Sequence, residues 1–149
     1  LNIYKPADYT SHDVVAVLRR HLPRKSKVGH TGTLDPQATG VLPVCFGKAT
    51  RLAEYFTSLP KTYVGELTLG SVTSTYDKWG ETTWQAEPAK LAAVTESDIM
   101  AVLPQFQGFI KQVPPMVSAV KIGGQRLHQL ARAGVEVERP ARDVRIYSL

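Results

Sequence analysis

Cysteine is nearly absent: Cys45 stands alone in 149 residues, so no internal disulfide can staple the fold, and a reducing cytoplasm is the expected setting. No apolar run approaches the roughly 20 residues that a membrane helix needs, which excludes a helical span. The first residues lack the basic, apolar and small-residue order of a secretory signal. Acidic residues are outnumbered, 13 Asp and Glu against 18 Lys and Arg, and the formal charge of +5 favours a polyanionic partner without requiring one. Repeats, low-complexity tracts and linkers rich in Pro, Gly and Ser are also missing. The expectation is therefore one domain over residues 1–149 with a buried core. The chain opens at Leu1 and stops inside the strand-like run Tyr147-Ser148-Leu149, as a fragment truncated on its C-terminal side would.

Several chemistries lack their residues. Gly47-Lys48 resembles the end of a phosphate loop, but Leu42 stands where the loop's first glycine belongs and Ala49 follows the lysine, which excludes a nucleotide triphosphatase of that type. His12, His21, His30 and His128 are scattered, with no cysteine or carboxylate cluster at metal-ligand spacing, so no metal is expected. Cys45 lies in an apolar strand-like run, where cysteine behaves as a small buried hydrophobe rather than a nucleophile.

Periodicity gives a coarse order of elements. Ser11 is a candidate N-cap for a helix over residues 13–22, with Val14, Val15, Leu18 and Leu22 on one face and Pro23 as its stop. Residues 29–40 read as loop. Residues 41–46 read as a strand, Thr50 as the cap of a helix through Phe56, and residues 61–69 as a β-favouring run. Thr95 and Asp98 have capping-box spacing ahead of Ile99, Met100, Val102 and Leu103, and Pro104 closes that helix. After Pro114-Pro115 come residues 118–122, the turn pair Gly123-Gly124, and a helical stretch over 125–133 that ends at Gly134.

The glycine-bounded stretch Val28-Gly29-His30-Thr31-Gly32-Thr33-Leu34-Asp35-Pro36 places short polar side chains at the edge of an apolar strand. The glycines are expected to adopt backbone shapes that other residues resist. By itself Leu34-Asp35-Pro36 is most simply a turn in which aspartate caps a neighbouring backbone group.

The whole string from Val28 to Val44 resembles the signature loop of the TruB family of tRNA pseudouridine synthases. Matches continue in the family's order through Lys5-Pro6, Thr10 to Val15, Gly47 to Arg51, Lys61-Thr62-Tyr63 and Leu69-Gly70. Pro114 to Lys121, Arg126-Leu127 and Ala131 to Gly134 resemble that family's RNA-gripping thumb. The resemblance implies an α+β pseudouridine synthase fold, with a mixed, largely antiparallel sheet, flanking helices and a thumb over about residues 111–141. It implies isomerisation of a uridine in the tRNA T-loop, in the cytoplasm, by a monomer without cofactor or bound nucleotide.

The same resemblance assigns roles. Asp35 matches the essential aspartate, Tyr63 the active-site tyrosine and Asp77 a second carboxylate that helps orient charge. His30, with Thr31 and Gly32 beside it, matches the histidine that fills the space left by the flipped base. Lys121, Arg126 and Arg132 fall on the thumb, where cations hold phosphates. Asp8 stands where the family usually has glycine, Val117 where it has tyrosine, and Ser74 where an aspartate is common. The family's active-site arginine lies on a strand downstream of Leu149, and its C-terminal RNA-binding extension has no counterpart here. This chain alone is therefore expected to be inactive or weak. A noncatalytic tRNA-binding or tRNA-folding module is the competing reading, whereas a hydrolase lacks a second placed carboxylate and has no use for a basic arm.

Overall fold

Valines on one face of the first helix close over the inward side chains of two strands, and that contact organises the first part of the chain. The computed structural model describes residues 1–118 and 120–149; Ala119 and the side chains of His128 and Arg132 lie outside the described residues. Contacts divide the chain into two compact units, Leu1–Val64 and Gly65–Leu149. No linker-like composition marks the division, which falls within the β-favouring run 61–69.

The first unit comprises β1 (Asn2–Lys5), α1 (Ser11–Arg20), β2 (Val28–His30), β3 (Gly40–Phe46), a 3-10 turn over Gly47–Leu52, and α2 (Ala53–Thr57). β3 is central and antiparallel to both β1 and β2. Strand alternation turns Leu42 and Val44 inward, where they join Val14, Val15 and Val28 in a buried cluster with Ile3, Leu18, Leu22, Leu34 and Phe46 packed against it. Burying each such side chain is worth about 1.5–3 kcal/mol. The expected apolar face of α1 is the face that makes this core.

α1 runs from Ser11 to Arg20 rather than over 13–22, and its cap lies one residue before the expected Ser11. Thr10, in extended conformation, is the cap: its Oγ1 accepts the Asp13 N–H at 3.0 Å, and the Asp13 carboxylate accepts the Thr10 N–H at 2.9 Å. A capping box needs a carboxylate three residues after the cap, and Asp13 has that spacing from Thr10, not from Ser11. These bonds hold the Asp13 carboxyl below the usual carboxylate range, Thr10 side chain first and Thr10 backbone second.

Other corrections follow from pairing. His30 and Gly29 belong to β2 and Gly40 opens β3, so the loop contracts to residues 31–39. Neither Gly29 nor Gly32 adopts a positive φ, while Gly40 does, at 144°. Thr50 caps no α-helix; it sits in the 3-10 turn with its hydroxyl on the Gly47 carbonyl at 2.8 Å, and α2 begins at Ala53 without a side-chain cap. Residues 61–69 join no strand ladder among the described residues, and Val64 and Leu67 stand exposed.

In the second unit β4 (Ser71–Thr73) pairs with β5 (Thr82–Gln85), followed by α3 (Pro88–Ala92), α4 (Glu96–Val102) and a 3-10 turn over Leu103–Phe106. Thr95 and Asp98 form the expected box on α4. β6 (Gly108–Gln112) pairs with β9 (Arg142–Ile146). Between them lie the hairpin β7 (Lys121–Ile122) and β8 (Gln125–Arg126), then α5 (Leu127–Arg132). Gly123 and Gly124, at φ 57° and 84°, supply the two positive-φ positions of a tight hairpin turn. α5 is shorter than expected because Gln125 and Arg126 pair as β8, and Gly134 follows its end at φ 71°.

Every ladder among the described residues is antiparallel, and the class is α+β. The excursion over residues 113–141 leaves at Gln112 and returns at Arg142, which face each other in the β6–β9 ladder. Two hydrogen bonds from the Arg142 guanidinium to Gln112 Oε1, at 3.1 and 2.7 Å, close its base, and Arg139 donates to the Pro114 carbonyl at 3.4 Å. Leu127, wholly buried, anchors α5. No described helix is long and apolar enough to cross a membrane.

Candidate active site

Asp35 sits between two backbone positions that are each gripped by a buried polar side chain. On one side, Leu34 packs its side chain against the core and its N–H donates to Ser11 Oγ at 2.9 Å, while the Ser11 hydroxyl lies 3.3 Å from the Leu34 carbonyl. On the other, the Lys5 ammonium donates to the Pro36 carbonyl at 2.9 Å, and also to Tyr9 at 2.6 Å and Pro6 at 2.8 Å. Lys5 has no exposed surface. Three donors meeting three carbonyls is the arrangement that makes burial of an ammonium tolerable.

The loop turns immediately after Asp35, where the Ala38 N–H donates to the Asp35 carbonyl at 3.0 Å. The Asp35 side chain is exposed, and none of the hydrogen bonds or ion pairs of the described residues uses its carboxylate. It is a carboxyl group on a braced support, without a cationic partner among the described residues.

Neighbouring positions serve mainly as bracing. Thr31 is buried; its N–H and hydroxyl both reach the Pro43 carbonyl, at 3.1 and 3.3 Å, and its own carbonyl accepts the Thr57 hydroxyl at 3.1 Å. Gly32 faces the Lys61 stem, which would lie 3.7 Å from an added Cβ. The Lys61 ammonium caps the end of α2 through the carbonyls of Thr57 and Leu59, at 2.8 and 2.7 Å. His30, half-buried, ends β2 opposite Val44. Tyr63 belongs to the same unit and is largely exposed.

The remaining sequence-predicted residues lie in the second unit. Asp77 organises a local turn: its Oδ1 accepts from the Thr75 hydroxyl at 2.6 Å, the Trp79 N–H at 2.9 Å and the Gly80 N–H at 3.2 Å. Its carbonyl accepts the Thr73 hydroxyl at 2.6 Å. That gives this carboxylate a structural role independent of any chemistry. Lys121 and Arg126, both exposed, are direct cross-strand partners in the hairpin. The Arg132 side chain, assigned to phosphate contact from the sequence, lies outside the described residues.

Sequence reasoning missed what Lys5 and Ser11 do. Both fell within matched stretches, but a lysine closing a strand and a serine opening a helix carry no local signal of a contact 31 or 23 residues away. One local signal existed. Asp8 adopts φ 65°, which accounts for the family's usual glycine and marks the tight turn from Pro6 to Tyr9 whose carbonyls Lys5 clasps.

Comparison with known proteins adds the following. The family model described as TruB family pseudouridylate synthase, N-terminal domain, matches residues 19–149. The protein called tRNA pseudouridine synthase B from Symbiobacterium thermophilum is 56% identical over 149 residues, covering 100% of this chain and 48% of that protein. Proteins of the same name from Listeria monocytogenes and Bacillus licheniformis are 53% and 51% identical, covering 99% and 100% of this chain and 47% of each relative. The chain thus spans about half the length of the curated relatives it matches. Among solved structures, a chain of a Cbf5-Nop10-Gar1 complex superposes with a TM-score of 0.51 at 33% identity, over 81% of this chain and 30% of that one.

Proposed function

The chain belongs to the TruB family of pseudouridylate synthases, and from that membership we propose that it supplies the catalytic loop of an enzyme converting uridine to pseudouridine in the T-loop of tRNA. The observation that carries the reading is the Asp35 carboxylate, exposed and without a partner among the described residues, on a loop whose flanking residues are held from both sides.

The reaction breaks the bond from uracil N1 to the sugar, turns the base, joins C5 to the same sugar carbon and releases the C5 proton. Nothing is oxidised and no group is lost, so no redox cofactor or nucleotide is called for. The reactive atoms lie inside a folded loop, so the uridine must be extruded into a pocket at a cost of about a few kcal/mol. His30, a flat amphipathic ring beside the Asp35 loop, suits the space that the base vacates. Asp35 then acts on the sugar, either as a nucleophile or by accepting a proton in a glycal-type route, and the Tyr63 ring stacks on the uracil with its hydroxyl near C5. Asp77 keeps its place in the turn over residues 73–80.

The excursion over 113–141 contacts the phosphates. Lys121 and Arg126 directly opposite each other repel, and a phosphate between them relieves that repulsion while positioning the RNA. The protein acts as a monomer in the cytoplasm, and a cation from outside the described residues completes the surroundings of Asp35.

Release of tritium from tRNA labelled at uridine C5 tests this, using a polypeptide of the relatives' full length that carries these residues. Asp35→Asn is expected to lower turnover roughly 10³-fold or more with tRNA affinity retained. An unaltered protein that binds tRNA but releases no tritium would make it a binding or folding module instead. The 149 residues alone are expected to release little.

A further inference from the structure

We propose that Ser11 is a positioning residue for the Asp35 carboxylate, setting the peptide plane from which the aspartate projects. The inference rests on Asp35 being the catalytic carboxylate.

Ser11 is the first residue of α1 and is 2% exposed. A serine at a helix start would ordinarily be accounted for as its cap, but Thr10 and Asp13 already close that box. The Ser11 hydroxyl is thereby left for a contact with Leu34, and it meets both polar backbone groups of that residue, the N–H at 2.9 Å and the carbonyl at 3.3 Å. The Leu34 carbonyl belongs to the planar peptide that ends at the Asp35 nitrogen, so holding it fixes the plane about which the Asp35 φ is defined.

The other backbone angle is restrained from the far side. Pro36 confines the residue before it to extended conformations and has its own φ locked by the ring, and Lys5 holds the Pro36 carbonyl at 2.9 Å. Among the described residues the Asp35 carboxylate has no side-chain bond, so its location is inherited from these restraints and from its rotamer. Without the Ser11 hydroxyl, Leu34 keeps its apolar seat and α1 keeps its cap, but the Leu34–Asp35 peptide can rock. Reaction rates are sensitive to such movement, since about 1 Å of misplacement can cost about 100-fold.

The test compares unaltered protein, Ser11→Ala, Ser11→Thr and Asp35→Asn at the relatives' full length, by tritium release and by amide hydrogen exchange. Ser11→Ala is expected to lower kcat roughly 10- to 100-fold, with KM and tRNA affinity unchanged and faster exchange confined to the Leu34 amide and its loop. Ser11→Thr, which keeps the hydroxyl, should recover most of the rate and the protection. An unchanged kcat in Ser11→Ala beside an inactive Asp35→Asn overturns the positioning role and leaves Asp35 catalytic. Faster exchange throughout α1 and its sheet makes Ser11 a folding residue and overturns it as well. Turnover by Asp35→Asn removes the reading beneath the inference.

Discussion

Lys5 has no surface in water, and each of its three ammonium hydrogens has a backbone carbonyl to meet. Replacing it with methionine would preserve much of the stem's packing while leaving those carbonyls without their donor. Lys5→Met is therefore expected to destabilise the first unit by about 3 kcal/mol, read as a lower urea midpoint at unchanged slope. The opposite sign is expected at Asp8, held at φ 65°. Asp8→Gly removes a left-handed side-chain penalty of about 1 kcal/mol, part of which the extra freedom of glycine in the unfolded chain cancels, so a small rise in melting temperature should follow. These positions also show how far single residues were legible. The Asp35 loop drew attention through its ordered match, yet the two side chains that brace it lie in other elements, and proximity created by folding leaves no trace in local spacing.

The two threonine–aspartate capping boxes link element stability to pH. Thr10 holds the Asp13 carboxyl, and Thr95 the Asp98 carboxyl, below the usual carboxylate range, in each case by the threonine side chain first and its backbone second. A depressed folded-state value means that the unfolded chain binds the proton first. The contribution is therefore fully present above the ordinary carboxylate pKa of about 4 and is lost as pH falls through the lowered value. Thr10→Ala and Thr95→Ala should each flatten the acid limb of a stability-versus-pH curve while changing its neutral plateau only by the lost cap. The box at Thr95 was legible because threonine and aspartate stand three apart before an apolar run. The box at Thr10 obeys the same rule, but Ser11 beside it is an equally good cap by composition, and only the position of Asp13 separates them. The run over 61–69 was misread for a different reason: β-favouring residues express the pairing a segment can make, whereas a ladder also needs a partner.

At the scale of the whole molecule, a charge of +5 is a weak pointer that gains meaning from placement, since Lys121 and Arg126 oppose each other on one hairpin. If each neutralises one phosphate, Lys121→Ala and Arg126→Ala should each reduce the slope of log binding constant against log salt by about 1, measured by titrating tRNA at several ionic strengths. An unaltered slope in both variants would remove the hairpin from the RNA contact. The family and its α+β class were legible from ordered motifs. The excursion closed by Gln112 and Arg142 was legible as an arm, but not the hydrogen bonds at its base, because those two residues are 30 apart. The segment over 61–69 has one further consequence, colloidal rather than catalytic. Exposed Tyr63, Val64 and Leu67 ride on backbone that joins no ladder among the described residues, and such a stretch is a template for any other chain with a strand to add. Concentrated solutions of these 149 residues should therefore gain intermolecular β-structure over time, and a proline placed at Val64 should delay it.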